Sequence, residues 1–346
     1  MYINFVMSSH VESRIFDDIF NYFKKYSKFK CVRTLHALDY ANVYYYFRPH
    51  LEKKLKENSI VTVHHDLYEN DCNLDITIFL ERYREAKVVV CLNSVQENIL
   101  HDYGVYHTII IPHGYNDNIL KMKIKKQNSR ITLGFFSSYY PRLVKGEDYL
   151  LSLFENISRD EFNFVLVGRK REKLAMTLTE YGFNCKLYTS LPYFMFNLLY
   201  DSIDCLLITS KFEGGPASLS EALSTGTPVI TTKVGIVNDF LEDKGILVFT
   251  GKIDKDVKLL KSLKNNLKMM NRYINSNTKY KLITWREVIN LYDQEFIKIS
   301  NKKTFLNKNY YFQTIKYKLY TLYLKKRINR LFTSYLNLYR LLIANK

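Results

Sequence analysis

Ser210-Lys-Phe-Glu213-Gly-Gly-Pro-Ala-Ser-Leu-Ser-Glu221-Ala-Leu-Ser-Thr-Gly226-Thr-Pro-Val-Ile-Thr-Thr-Lys-Val-Gly235 is the stretch on which the fold turns. A strand ends at Ser210, a turn runs through Glu213, Gly214 and Gly215, and a helix starts near Pro216, where proline suits the first turn. The unpaired N–H groups of a first helical turn make a weakly positive rim, suited to a hydroxylated or anionic ligand. Glu213 precedes the helix and Glu221 lies inside it. Both carboxylates can face a ligand that spans the helix start, each accepting two vicinal hydroxyls.

On either side of this stretch, short apolar runs alternate with helical patterns. Strands are predicted at 131–136, 162–167, 185–188, 205–209, 228–232 and 246–249, with helices between them that include 147–157 and 217–224. Alternation at this spacing means parallel strands joined by crossover helices. Ten of the twelve glycines fall in this half, mostly where a strand gives way to a loop. Ligands of such sheets bind beyond the carboxyl ends of the strands, where glycine lets backbone approach them. The first half opens with a strand at 2–7 and an amphipathic helix at 11–26. Buried strands follow at 60–63 and 87–92, and a run at 108–111 ends in the turn signal Pro112-His-Gly114.

The spacing Glu213–seven residues–Glu221, followed by Ala-Leu-Ser-Thr-Gly-Thr-Pro-Val-Ile, resembles the signature of the family 4 retaining glycosyltransferases. The resemblance implies the GT-B fold, an α/β architecture of two Rossmann-like domains with parallel sheets facing a cleft. It also implies roles. Glu213 would touch the donor sugar, backbone amides after it would hold the sugar hydroxyls, with Gly214, Gly215, Pro216, Ala217 and Ser218 lining the donor site, and Glu221 would bind the ribose. Gly134-Phe-Phe-Ser-Ser-Tyr-Tyr-Pro-Arg142-Leu-Val-Lys145-Gly146 resembles the family's strand and its Arg/Lys-Gly loop, which grips the donor diphosphate. Cations fixed there would stabilise the charge of a departing nucleotide. The usual Arg stands five places before the Lys, where this chain has Tyr140. Arg142 is then either a substitute from a shifted loop or a solvated loop cation.

Phe162-Asn-Phe-Val-Leu-Val-Gly168 resembles the next family strand, with Gly168 opening a loop over the nucleotide. Val61-Thr-Val-His64-His65-Asp66 resembles the strand-end histidine near the donor sugar; His64 is the match and His65 the fallback, since successive strand residues face opposite ways. Ser8-Ser9-His10 stands where many members carry paired glycines near the diphosphate, and Ser9 still offers a backbone N–H. Thr284-Trp285-Arg-Glu-Val-Ile-Asn-Leu-Tyr292 resembles the late helix that crosses back to the first domain, with Trp285 as a packing anchor.

The expected organisation is an acceptor-side domain over 1–120, a linker at 121–130, a nucleotide-sugar domain over 131–283, a crossing helix at 284–300 and a helical tail over 301–346. The implied reaction is hexosyl transfer from a nucleotide-diphosphate sugar to a glycan or lipid-linked acceptor. The expectation includes no resident cofactor and no metal. All eight histidines lie before residue 114, without the H-x-x-x-H spacing of a metal helix. Asp254-Lys-Asp256 precedes a lysine-rich amphipathic helix and reads as a cap.

The formal net charge is +17, yet from Asn301 to Lys346 there is no acid, and eleven basic residues there carry most of the excess. In that segment Leu324, Ile328, Leu331, Tyr335, Leu338 and Leu342 form one apolar stripe, with Arg327, Arg330 and Arg340 largely off it. Such a helix suits an anionic membrane surface, or packs on the protein or a second copy. The five cysteines are scattered, the first ten residues lack a secretory pattern, and no apolar run spans a bilayer. The expected location is the cytoplasm, with peripheral attachment to the inner face of a membrane if the tail docks there. Two other functions compete: a sugar-nucleotide 2-epimerase of the same fold, and a non-catalytic basic nucleic-acid-binding protein. Confinement of the charge to one tail weighs against nucleic acid as a partner.

Overall fold

The computed structural model describes residues 1–10, 13–69, 71–123, 129–277 and 282–300. The predicted tail at 301–346 and the middle of the predicted linker lie outside the described residues.

Two parallel sheets organise the chain, each of six strands. The first comprises β1 (Tyr2–Val6), β2 (Lys30–Thr34), β3 (Val43–Tyr46), β4 (Ser59–Thr62), β5 (Val88–Cys91) and β6 (Thr108–Ile110), in the order β2-β1-β3-β4-β5-β6. The second comprises β7 (Ile131–Phe136), β8 (Phe162–Val167), β9 (Asn184–Tyr188), β10 (Cys205–Ile208), β11 (Val229–Thr231) and β12 (Ile246–Val248), in the order β12-β11-β10-β7-β8-β9. Helices α1 (Arg14–Tyr26), α2 (Ile76–Glu85) and α3 (Ser94–Asp102) belong to the first half. The second half holds α4 (Glu147–Phe154), α5 (Glu172–Glu180), α6 (Phe196–Asp201), α7 (Ala217–Ser224), α8 (Ile253–Lys261), α9 (Leu263–Asn277) and α10 (Trp285–Ile299). None of the described helices is long and apolar enough to cross a membrane.

The described chain divides into two compact units. One holds residues 1–61, 85–87 and the described residues from Asp293 onward; the other holds 62–84 and 88–292. In the first unit an aromatic core gathers on β1: the Phe5 ring centroid lies 4.7 Å from Phe23 and 5.0 Å from Tyr45. Two strands here, β2 and β3, were not predicted. All four residues of β3 are buried, three of them tyrosines.

In the second unit the central strands bury both faces, as parallel strands covered by helices must. Leu133 and Phe135 of β7, Phe164 and Leu166 of β8, and Cys205 and Leu207 of β10 point into one core with Leu150, Leu153 and Phe154 of α4. Val165, Val167, Leu206 and Ile208 point into the other, with Leu219, Ala222 and Leu223 of α7. This two-residue alternation explains why these strands read as unbroken apolar runs. Asp256, in the first turn of α8, accepts hydrogen bonds from the Thr250 N–H at 2.9 Å and the Thr250 hydroxyl at 3.0 Å. Thr284 and Glu287 exchange hydrogen bonds at the start of α10, with Thr284 N–H to Glu287 Oε2 at 2.6 Å.

Candidate functional site

In the second sheet the chain runs outward from β7 through β8 to β9, then returns to lay β10 on the other side of β7. β7 and β10 are therefore neighbours at the point where the strand order reverses, the place where open α/β sheets bind their ligands. Lys145 ends the loop that leaves β7, and Glu213 lies in the loop that leaves β10.

The two loops are stitched together by backbone. Thr209, just past β10, donates its hydroxyl to the carbonyls of Lys145 at 2.9 Å and Gly146 at 3.0 Å. Lys211 N–H reaches the Val144 carbonyl at 2.8 Å. Gly146 takes φ +69°, and a Cβ there would overlap the Thr209 carbonyl oxygen, so both the conformation and the approach require glycine. Lys145 then delivers its ammonium to Glu213 Oε1 in a short ion pair, both side chains being 17% exposed. The same oxygen accepts the Ser210 hydroxyl at 3.0 Å. Tyr140 puts its ring 5.5 Å from Lys145 Nζ.

Arg142 is committed elsewhere. It forms a short ion pair with Glu69 and lies 3.4 Å from Asp71, both in the loop after β4. From that loop Asp66 also accepts the Glu213 backbone N–H at 3.0 Å and the Tyr68 N–H at 2.9 Å. Burial raises the Asp66 pKa, the two N–H donors work against it, and the Glu213 charge adds to the rise. Asn93, wholly buried, caps α3 through its carbonyl oxygen and donates its amide to the Gly214 carbonyl. A Cβ on Gly214 would come within 3.1 Å of the His64 carbonyl oxygen and the Gln96 side chain. Gly235, at φ +48°, accommodates the Glu213 carbonyl in the same way. Gly215 would place a Cβ at an ordinary 3.4 Å from Leu92.

His64 and His65 do point differently. The His64 ring lies 5.9 Å from that of His113, whereas the His65 ring packs 4.4 Å from Phe79 of α2. Burial pushes the His64 pKa well below its ordinary value, and the neighbouring His113 and His65 push it further, so the ring is neutral near pH 7.

On α7, Pro216 forms the N-cap, Ala217 is exposed, and Ser218 is partly buried. Glu221 sits one turn further along, with both oxygens engaged. Tyr193 donates to Oε1 at 2.6 Å and the buried Tyr200 donates to Oε2 at 2.9 Å. Burial raises the Glu221 pKa and the two hydroxyls oppose that rise. Gly168, at φ +145°, ends β8, and a Cβ there would overlap the Ser137 carbonyl. Ser9 lies after β1 in the other unit; beside it Ser8 takes φ +54°, a backbone setting that glycine favours.

Asp66, Asn93, Gln96, Tyr193 and Tyr200 were not singled out from the sequence. Asn93 had a readable signal, an Asx residue directly after a strand and before a helical pattern. The tyrosines had none, because the partner of a phenol is decided by tertiary contacts. Among the described residues no three His, Cys, Asp or Glu side chains gather to hold a metal ion.

Two parallel six-stranded sheets with intervening helices are the GT-B fold. Residues 118–280 match the family model described as glycosyl transferases group 1. No curated protein matches the chain in sequence. Among solved structures, the sucrose-phosphate synthase of Thermosynechococcus elongatus aligns with TM-score 0.67 at 11% identity, covering 86% of this chain and 98% of that one. HepE of Anabaena in complex with UDP and glucose aligns with TM-score 0.65 at 13% identity, covering 86% of this chain and all (100%) of the other. TarM of S. aureus aligns with TM-score 0.60 at 18% identity over 73% of this chain, which spans 54% of TarM's length.

Proposed function

We propose that the chain is a retaining, metal-independent hexosyltransferase of the family 4 type, which moves a sugar from a nucleotide-diphosphate donor to a glycan or lipid-linked acceptor. One observation carries this. Lys145 and Glu213, 68 residues apart, meet at the switch point of a GT-B sheet, in the loops whose sequences resemble the diphosphate and sugar loops of that family. The match to the group 1 glycosyl transferase model over 118–280 covers both loops, and a neighbour of the same fold, HepE, is described in complex with UDP and glucose.

In this proposal Lys145 turns from Glu213 to the diphosphate when the donor binds, and its charge stabilises the nucleotide as the glycosidic bond breaks. Glu213 and the amides of Gly214, Gly215, Ala217 and Ser218 orient the sugar, and Glu221 accepts the ribose hydroxyls. Tyr193 and Tyr200 fix the Glu221 carboxylate for that task. Arg142 ties the diphosphate loop to the loop after β4. His64, neutral, donates a hydrogen bond toward the sugar, and the donor's own phosphate oxygen takes the acceptor proton. The N-terminal region, 1–120, would serve the acceptor and 131–283 the donor. The basic stretch 301–346 would rest on an anionic bilayer at the cytoplasmic face when the acceptor is lipid-linked.

The test begins with thermal-shift screening against uridine, guanosine and adenosine diphosphate sugars, since a tight ligand raises the melting temperature by mass action. With the donor so found, Glu221→Ala should weaken its binding by about 10–100-fold, the worth of one or two charge-assisted hydrogen bonds. Release of free nucleoside diphosphate with an acceptor marks transfer rather than epimerisation. Unaltered binding and turnover in Glu221→Ala would remove the role assigned to that carboxylate.

A further inference from the structure

Among the described residues Arg171 is the largest wholly buried side chain, at 1% exposed. A guanidinium taken out of water is costly unless each donor is matched. Here the matching is specific. Nε donates to the Ser137 carbonyl at 2.7 Å, one terminal nitrogen donates to the Ser137 hydroxyl at 2.7 Å and the Ser138 carbonyl at 3.0 Å, and the other forms a short ion pair with Glu147 Oε1. The guanidinium plane also lies over Phe135, 4.8 Å from the ring centroid.

The partners are all in one segment. Ser137 and Ser138 are the first residues after β7, and Glu147 is the first residue of α4, so one buried side chain holds both ends of the loop that carries Arg142 and Lys145. A second set of contacts pulls the same way: Tyr139 N–H reaches the Arg169 carbonyl at 3.0 Å and Arg169 N–H reaches Ser138 Oγ at 3.2 Å. Gly168, whose missing side chain admits the Ser137 carbonyl, completes the seam.

We infer that Arg171 is a positioning residue for the diphosphate subsite: it sets the span of the 137–146 loop and with it the place of the Lys145 ammonium, without touching the ligand. This rests on the donor-site reading above. A loop closed at one end only would let Lys145 drift by an ångström or more, and a point charge so displaced loses its preorganised contact with phosphate. Lysine cannot replace arginine here, because one ammonium cannot span the Ser137 and Ser138 acceptors and Glu147 together.

The experiment compares binding of UDP with UMP, of GDP with GMP and of ADP with AMP to the full chain by calorimetry. Arg171→Lys should lower the preference for diphosphate over monophosphate by about tenfold while the monophosphate affinity stays within about twofold, a split that loosened folding would not produce. Ser137→Ala, which removes one acceptor and no charge, should lower the preference by about threefold, and it decides the matter if Arg171→Lys fails to fold. A wild type that prefers the diphosphate, with variants that keep the whole preference, overturns this inference alone. A wild type that shows no preference for UDP, GDP or ADP over its monophosphate overturns the donor reading and this inference with it.

Discussion

Gly146→Ala isolates the junction between the two loops. The residue sits at φ +69°, where an alanine costs about 1–2 kcal/mol relative to glycine. The new methyl would stand 2.8 Å from the Thr209 carbonyl carbon and overlap its oxygen, and that carbonyl belongs to backbone at the end of β10 rather than to a side chain able to rotate away. The loop must therefore retreat. Its retreat breaks the Thr209 hydroxyl bonds to the Lys145 and Gly146 carbonyls, now 2.9 and 3.0 Å, and strains the Lys211 N–H to Val144 bond of 2.8 Å. At about 1 kcal/mol for each lost bond, the total destabilisation is about 3–5 kcal/mol. Urea unfolding followed by fluorescence of Trp285 measures it, and nucleoside diphosphate binding should weaken in parallel because Lys145 is carried off with the loop. A loss under about 1 kcal/mol, with diphosphate binding unchanged, would show that the seam does not constrain Lys145 and would refute the reasoning.

Lys145→Met removes the ion pair and leaves Glu213 Oε1 with the Ser210 hydroxyl; turnover of the identified donor should fall by about 100-fold or more, and steady-state kinetics within threefold of wild type would count against the ion's role. His113 sets a pH dependence. Its Nε2 is buried without a hydrogen-bond partner, its ring lies 5.6 Å from that of Trp285, and burial pushes its pKa down to about 4. The unfolded chain therefore takes up a proton near pH 6.5 that the folded chain refuses until about 4, so the stability present in full above pH 6.5 declines as pH falls through that window. The share of the decline due to His113 should be about 3 kcal/mol, the buried His64 adds its own, and His113→Phe should make the slope shallower without abolishing it; parallel pH–stability curves for the two proteins would rule the effect out.

Much of the second sheet was readable from the chain alone. The strands at Ile131–Phe136 and Phe162–Val167 and the helix at Ala217–Ser224 fall where they were predicted, because strands buried on both faces must be apolar throughout and a proline opens the helix. The first half was harder. The strand Val43-Tyr-Tyr-Tyr46 escaped notice since burying a tyrosine depends on finding its hydroxyl a partner, and those partners lie in turns away from the strand: Tyr44 donates to the Leu38 carbonyl, and Lys56 N–H reaches Tyr46 Oη at 3.3 Å.

The candidate site divides along the same physical line. The sequence alone determined that Glu213, Glu221 and Lys145 occupy strand-end loops and a helix start, since the apolar period, the glycines and the proline are local signals. Only the tertiary structure decided who meets whom. Laying β10 beside β7 brings Lys145 to Glu213, the loop after β4 takes Arg142 through Glu69 and Asp71, two tyrosines engage Glu221, and Arg171 is buried against Ser137, Ser138 and Glu147. Periodicity records whether a side chain faces a core. It carries no record of which charged partner waits there, because that depends on strand order and loop closure, and these are settled by packing both faces of the sheet at once.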